Sequence, residues 1–415
     1  MRTGETLVTA LVYFWARDAS IHHRLVFDGN RNHLSYNRQM IPSSAAQVQV
    51  QILPLDRRHN EAMLDILHQS PIETGGLSIC FDRLPNIFAM ADLKYNQAVW
   101  GGFFNDGKLE GFAMVGHHNA YVNGSVSRVM HITDFYIKPQ SRGRVYLRAA
   151  TPFFFSERLR GASFGYAVVM KGNRAAEALL GDRFAALPWS LRSRIVGAVV
   201  AKSILVTFPR RKRPLFPVRA ARVEEIDDIV TLLRAEHSHR LFGLAIDRDQ
   251  FVAQLEQRPG LSINDYYVVE RAGKLVGVCA AWDTCAFKQN RVVRYGLGLK
   301  IVRAANILTA PIGRFPSLPA PGEAFRDVFV TDWAVCDRSV EVMHALLEHI
   351  YNEYRSRHYH TLIFGSCAGD PMLEATRGFW TTSVVSHVAL LSLEERWLKD
   401  GAIDTRLPFI DLALL

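Results

Sequence analysis

The tightest constraint on how this chain folds is that it repeats itself. Lys108-Leu109-x-Gly111 returns as Lys274-Leu275-x-Gly277, an offset of 166 residues. The same offset carries Ile52 to Val218 and Leu67 to Leu233. Ile132-Thr133-Asp134-Phe135 returns as Val330-Thr331-Asp332-Trp333, at an offset of 198. Agreement over three elements marks a duplicated supersecondary unit. The offsets differ by 32 residues, which locates an insertion in the second copy at about 295–322. Pro311, Pro316, Pro319 and Pro321 fall in it, so it is expected to be a loop over a site.

Each copy reads β-α-β-β-(β)-α-β-α. Alternation over Val48–Leu53 predicts a strand, and Met63, Leu64, Ile66 and Leu67 follow at helical spacing. Ala98–Phe104 and Leu109–Val115 flank Asp106-Gly107 as a hairpin, and Tyr266–Glu270 and Leu275–Ala281 flank Ala272-Gly273 as its duplicate. The class is α/β, an α+β mixed sheet made twice. The expected division is an extension over 1–46, a first domain over 47–208, a Pro-flanked basic linker over 209–216 and a second domain over 217–415.

Composition narrows the partners. A formal net charge of +9 and 49% hydrophobic residues describe a chain with a sizeable core and a bias toward anions. The densest basic cluster is Arg210, Arg211, Lys212 and Arg213. It reads first as a solvated linker, and alternatively as a dock for an acidic donor. Five cysteines, an odd number without CxxC spacing, argue against a disulfide framework or structural zinc. A reducing cytoplasm is expected. Leu7–Ala16 is a weak leader pattern, and Ile195–Phe208 is short for a span and contains Lys202.

The segment that most invites a ligand runs Phe135-Tyr136-Ile137-Lys138-Pro139-Gln140-Ser141-Arg142-Gly143-Arg144-Val145-Tyr146. A strand that opens through a Gly/Arg loop into a helix offers free backbone N–H groups to a phosphate. A later strand, Tyr166–Met170, ends just before Asn173. These residues resemble the GNAT (Gcn5-related N-acetyltransferase) superfamily, whose members carry an apolar strand end, a proline and an Arg-Gly-x-Gly-x-Gly loop. The resemblance covers about 48–208, with a weaker copy over 217–394. It implies two tandem GNAT-like folds and an acetyl-CoA or other acyl-CoA donor. Phe135, Tyr136, Ile137, Arg142, Gly143, Arg144, Val145, Tyr146 and Asn173 would then form the cofactor site. By that resemblance the N–H groups of Tyr136 and Ile137 would polarise the thioester. Val145 and Leu147 stand where the motif has glycines. The second copy has Cys336-Asp337-Arg338-Ser339 instead, with no glycine, and reads as a degenerate site.

Acyl transfer to an amine needs a base for the ammonium proton. Strict alternation puts His131, Thr133 and Phe135 on one face and Ile132, Asp134 and Tyr136 on the other. His131 has a suitable intrinsic pKa and reads either as a base or as a core histidine. Asp134 is the other candidate, and its duplication as Asp332 suggests an architectural role. Gly365-Ser366-Cys367-Ala368-Gly369 imitates a nucleophile elbow, but it falls at the strand–helix turn that Gly172-Asn173 occupies in the first copy. His117-His118 reads as a solvated hairpin end or as a lining of the acceptor cleft. His237-x-His239 and His358-x-His360 lack a third ligand at metal spacing, and no metal is expected.

The function these features imply is an N-acyltransferase, moving groups other than aminoacyl groups from coenzyme A to a small-molecule or peptide amine. The alternatives are acyl carrier protein or aminoacyl-tRNA as donor, or an inactive GNAT-fold binding module. No specific nucleic acid and no transmembrane segment are expected. The acceptor pocket is expected from the variable segments 70–97 and 295–322.

Overall fold

The computed structural model describes residues 50–142, 150, 153–154, 161–162, 165–179, 192–210, 215–313, 315–392, 397, 399, 401–403 and 406–415. The first repeat contributes β1 (Val50–Pro54), α1 (Asn60–His68), β2 (Ile72–Thr74), β3 (Leu77–Asp82), α2 (Ala89–Lys94), β4 (Gln97–Asn105), β5 (Lys108–Val122), β6 (Ser125–Ile137), β7 (Gly165–Met170), α3 (Arg174–Leu179) and β8 (Arg192–Leu205). The second contributes β9 (Val218–Ala220), α4 (Ile226–Ser238), β10 (Gly243–Leu244), α5 (Arg248–Gln257), β11 (Tyr266–Arg271), β12 (Lys274–Asp283), β13 (Gln289–Tyr295), α6 (Leu297–Gly313), β14 (Asp327–Val335), α7 (Val340–Ser356), β15 (Thr361–Cys367) and β16 (Thr381–Ser392).

The repeat is visible residue by residue. The hairpin turns at Asp106-Gly107 and Ala272-Gly273 all take positive φ, as a two-residue loop between twisted strands requires. The repeated glycine of the Lys-Leu-x-Gly motif has a packing reason. A Cβ on Gly111 would lie 2.6 Å from the Tyr136 carbonyl oxygen, and one on Gly277 would lie 2.5 Å from Val342. In α4, Ile226, Ile229, Val230, Leu233 and His237 form the buried stripe that holds the helix on the sheet. Each large aliphatic side chain buried this way contributes about 1.5–3 kcal/mol.

The two halves share one sheet. Its order is β1-β4-β5-β6-β7-β16-β8-β15-β14-β12-β11-β9, with β10 paired to β5. The last strand of each repeat has crossed to the other. β16 pairs with β7 of the first repeat, β8 pairs with β15 of the second, and β8 and β16 pair with each other. The apolar run Ile195–Phe208 is therefore mostly strand β8.

The insertion differs from the expected loop. It contains the whole of the 17-residue helix α6, and β13 leads into it. β13 pairs with β3, which pairs with β2, in a separate three-stranded sheet. The segments around 70–97 and 295–322 are thus joined through backbone hydrogen bonds at β13. His117 and His118 also depart from the solvated-end reading. Strand β5 continues through them, and both are buried. Burial lowers the His118 pKa to about 3, so its ring is neutral.

Candidate active site

The centre of the first repeat is a break in strand pairing. β6 pairs with β5 to Ile137, but it pairs with the parallel strand β7 only at Met130–Ile132, opposite Gly165–Ala167. Beyond Ile132 the two strands part. A bulge lies at that point: Phe112 faces Tyr136 and Met114 faces Thr133, so Asp134 and Phe135 together face Ala113. Asp134 takes φ +49° there, a left-handed conformation that Asp tolerates better than most residues with a Cβ. Bulges increase local twist and redirect the side chains that follow.

The bulge overturns strict alternation. Met130, Ile132, Phe135 and Ile137 all pack into one cluster with Phe103, Val115 and Phe153. Tyr136 packs on the opposite side, with Phe112 and Trp100. His131 and Asp134 face that side too, toward Lys94 and Tyr95. Two candidates that alternation separates are therefore brought together.

The bulge also decides which N–H groups are free. Lys138 N–H donates to the Glu110 carbonyl at 2.9 Å. In an antiparallel ladder, alternate residues turn their N–H groups to the partner strand, so Tyr136 N–H is taken up by β5. Ile137 N–H, and Phe135 N–H before it, face the opening between β6 and β7. Of the pair implied by the family resemblance, only Ile137 has its N–H at the open edge.

The loop after β6 folds back on the strand. Ser141 Oγ donates to Glu110 at 2.5 Å, Lys138 Nζ lies 3.5 Å from the same carboxylate, and Arg142 Nε reaches the Ile137 carbonyl at 3.4 Å. Gly143, Arg144, Val145 and Tyr146 lie outside the described residues. Asn173 opens α3, its Oδ1 accepting Ala176 N–H at 3.3 Å.

Beside the opening, three cations converge from both repeats. Lys94 is the last residue of α2, Arg83 comes from the loop after β3, and Lys288 from just before β13. Their hydrogen bonds go to backbone carbonyls of the segment 406–415, which runs into the centre of the molecule. Lys94 Nζ donates to Leu414 at 2.7 Å, Lys288 Nζ to Leu412 at 2.6 Å, and Arg83 to Leu415 at 3.4 Å. Burial lowers the Lys94 pKa to about 8, against the pull of Asp411 and Asp134, and lowers Lys288 further. Asp134 is half-buried, and its pKa is raised by burial, offset in part by the charges of Arg83, Lys94 and Lys288. Among the described residues, no side chain hydrogen-bonds its carboxylate.

His131 is enclosed. It is 1% exposed, stacks on Tyr166 with centroids 4.4 Å apart, and its Nδ1 meets the Tyr95 hydroxyl at 2.5 Å. Burial holds its pKa well below the ordinary value. It is neutral and covered, while Asp134 has access.

The second repeat has the same backbone and a different fate. β14 and β15 pair only at Asp327–Phe329, opposite Thr361–Ile363, and Asp332 takes φ +43° in a matching bulge. Pro408, Phe409 and Ile410, with Arg240 and Val199, line a small cavity together with Trp333 and Gly365–Cys367. A Cβ on Gly365 would lie 2.4 Å from Leu412. Arg338, in the loop after β14, is ion-paired to Glu236 and Asp370, and Asp370 also holds Arg240 at 2.6 Å. Asp332 is buried on the Arg258 guanidinium and accepts from the Tyr266 hydroxyl at 2.6 Å. At the matching positions, 166 residues earlier, stand Asp92 and Trp100. The first repeat thus supplies neither partner to Asp134. Sequence reading suspected an architectural role from the duplication of this aspartate; the two repeats share the bulged backbone, and the partners of Asp332 are not repeated at Asp134. Cys367, suspected as an elbow nucleophile, is buried with its thiol pKa pushed up to about 11.

No family profile and no curated protein matches this chain. Solved structures do match. Saccharomyces cerevisiae N-myristoyltransferase with bound myristoyl-CoA aligns at TM-score 0.51 and 10% identity, over 93% of this chain and 92% of that chain. The same enzyme with myristoyl-CoA and inhibitors aligns at 0.53 and 12%, over 86% and 82%. A GCN5-related glucosamine N-acetyltransferase region of a fungal multi-domain GH3 beta-N-acetylglucosaminidase aligns at 0.53 and 11%, over 84% of this chain and 39% of that one. The fold is a GNAT fold, made twice.

Proposed function

We propose that this duplicated GNAT fold is an N-acyltransferase that takes an acyl group from coenzyme A and delivers it to an amine. The observation that carries the reading is the open wedge of the first repeat. Beyond Ile132, β6 leaves β7 and presents the N–H groups of Phe135 and Ile137 to the gap, while in the second repeat the matching aspartate, Asp332, is tied up by Arg258 and Tyr266. An extended pantetheine arm fits an unpaired strand edge as an added strand does, and the thioester oxygen takes the Ile137 N–H.

Asp134 serves as the base. The acceptor ammonium gives its proton to the Asp134 carboxylate, directly or through water, and the neutral amine attacks the thioester carbonyl. The C–S bond breaks, and the departing thiolate takes up, through solvent, the second proton that the nitrogen gives up as the amide forms. The neighbouring cations offset part of the rise that burial imposes on the Asp134 pKa. The acceptor enters between the two repeats, beside Lys94 and Lys288.

Titration calorimetry with acetyl-CoA and with a long-chain acyl-CoA tests the donor, followed by turnover on an amine panel. Saturable binding of an acyl-CoA is expected at one site per chain. A chain that binds neither thioester overturns the reading.

A further inference from the structure

Where the two repeats meet, one aromatic residue takes a backbone conformation that aromatics avoid. Phe242, between α4 and β10, has φ +62°. The left-handed region is an outlier for a bulky side chain, and such positions cluster at active sites and ligand clamps. The 166-residue offset places Gly76 at the matching point of the first repeat, and Gly76 takes φ +81° without a steric penalty. The second repeat thus holds a ring where its counterpart has none. The chain around that ring is pinned. Phe242 N–H donates to the Tyr121 carbonyl at 2.8 Å, Leu241 bridges to Pro408, and a Cβ on Gly243 would lie 2.1 Å from the His237 carbonyl oxygen.

The ring is used across the repeat boundary. It stacks on Tyr166 of β7 with centroids 4.4 Å and planes 18° apart, and Tyr166 stacks in turn on His131 of β6 at 4.4 Å and 8°. His131 and Tyr166 are directly opposed in the short stretch where β6 and β7 still pair. The three rings therefore close one face of the wedge at its apex. Met130 closes the other face, because a Cβ on Gly165 would lie 2.7 Å from Met130 Cε. Met130, His131, Tyr166 and Phe242 are all buried.

This closure bears on the acyl group. On the acyl-transfer reading, on which this inference rests, the pantetheine arm lies along β6 and the loop after Ile137 takes the phosphates. The acyl end then points back toward Ile132. A chain lying between two strands needs them about 10 Å apart, against about 5 Å for a hydrogen-bonded pair. The wedge loses that width as it narrows toward Ile132 and Ala167. A long acyl chain must leave the plane of the sheet near the apex, and there both faces are closed.

We infer that Tyr166 and Phe242 restrict the donor to a short-chain acyl-CoA, with the second repeat supplying the stop that ends the acyl pocket of the first.

The test is titration calorimetry of the full chain with acetyl-CoA, butyryl-CoA and octanoyl-CoA, which needs no acceptor. The parent is expected to bind octanoyl-CoA at least about tenfold more weakly than butyryl-CoA, since methylenes that a pocket cannot house are rejected by about that factor. Phe242→Gly suits the left-handed backbone and removes the ring, and is expected to narrow that gap by about tenfold. Phe242→Leu keeps bulk at the stop and is expected to retain most of the parent's preference. Tyr166→Val opens the same stack from a strand position that favours a β-branched residue, and is expected to shift the preference as Phe242→Gly does. A parent that binds octanoyl-CoA as tightly as butyryl-CoA overturns the inference and leaves the acyl-transfer reading standing. Folded ring-deleting variants that keep the parent's preference also overturn it. A chain that binds none of the three thioesters overturns both.

Discussion

Asp134 and Asp332 occupy the same left-handed bulge, at φ +49° and +43°, yet only Asp332 is bound by a guanidinium and a tyrosine hydroxyl. Identical substitutions should therefore have opposite consequences. Asp332→Asn leaves Arg258 charged and buried without its counter-ion, and is expected to cost about 3–5 kcal/mol of stability. Asp134→Asn removes a base, not a structural pair, and is expected to slow turnover by roughly 10²–10⁴-fold with little change in thermal midpoint. Thermal unfolding and steady-state rates separate the two. Equal destabilisation by both changes would return Asp134 to an architectural role.

The pH dependence follows from the raised Asp134 pKa. The base works ionised, so kcat/KM is expected to fall toward acid with a midpoint above the ordinary aspartate value of about 4. Stability runs the other way. The folded state holds this proton more tightly than the unfolded state, so folding loses free energy as pH rises from the ordinary aspartate pKa through the raised one. Asp134→Asn should abolish both slopes, which rate profiles and denaturant titrations across acid pH would register.

Ile137→Pro deletes one N–H that the β5–β6 ladder does not use. Proline is tolerated in a strand where its nitrogen faces away from a partner. The expected result is a native far-UV spectrum with turnover reduced roughly 10²–10³-fold, as for loss of an oxyanion donor. Unchanged turnover would move the thioester elsewhere.

Tyr95→Phe withdraws the hydroxyl from His131 Nδ1, in a site where His131 Nε2 already lacks a partner. A stability loss of about 1–3 kcal/mol is expected, read from a urea midpoint. A rate loss without destabilisation would instead make His131 a participant in the chemistry.

The repeat made most of the fold legible. Lys-Leu-x-Gly and Thr-Asp recur because a close backbone approach and a left-handed bulge restrict which residues fit, and such positions leave a trace in sequence. What the sequence hid was set by distance. Strict alternation separated His131 from Asp134 because one extra residue in β6 is visible only against its partner β5. The neutralisation of Asp332 depends on Arg258 and Tyr266, and their replacement by Asp92 and Trp100 has meaning only once the halves are superposed. Lys94, Lys288 and Arg83 come from three separate segments and meet at the carbonyls of 412–415, a juxtaposition without local pattern. Pro311 suggested a loop, but the helix tolerates it, and α6 runs through it to Gly313.

The exchange of β8 and β16 has a consequence for inheritance. Neither half closes its own sheet, since β7 borrows its neighbour from the far end of the chain and β15 borrows its neighbour from the near end. Cutting the chain near residue 210 would expose a raw edge on each piece, and such edges invite aggregation. The second copy is therefore free to lose a ligand site but not to be discarded. On the proposed function, divergence after duplication had one route left, in which one copy keeps the chemistry and the other becomes its permanent scaffold.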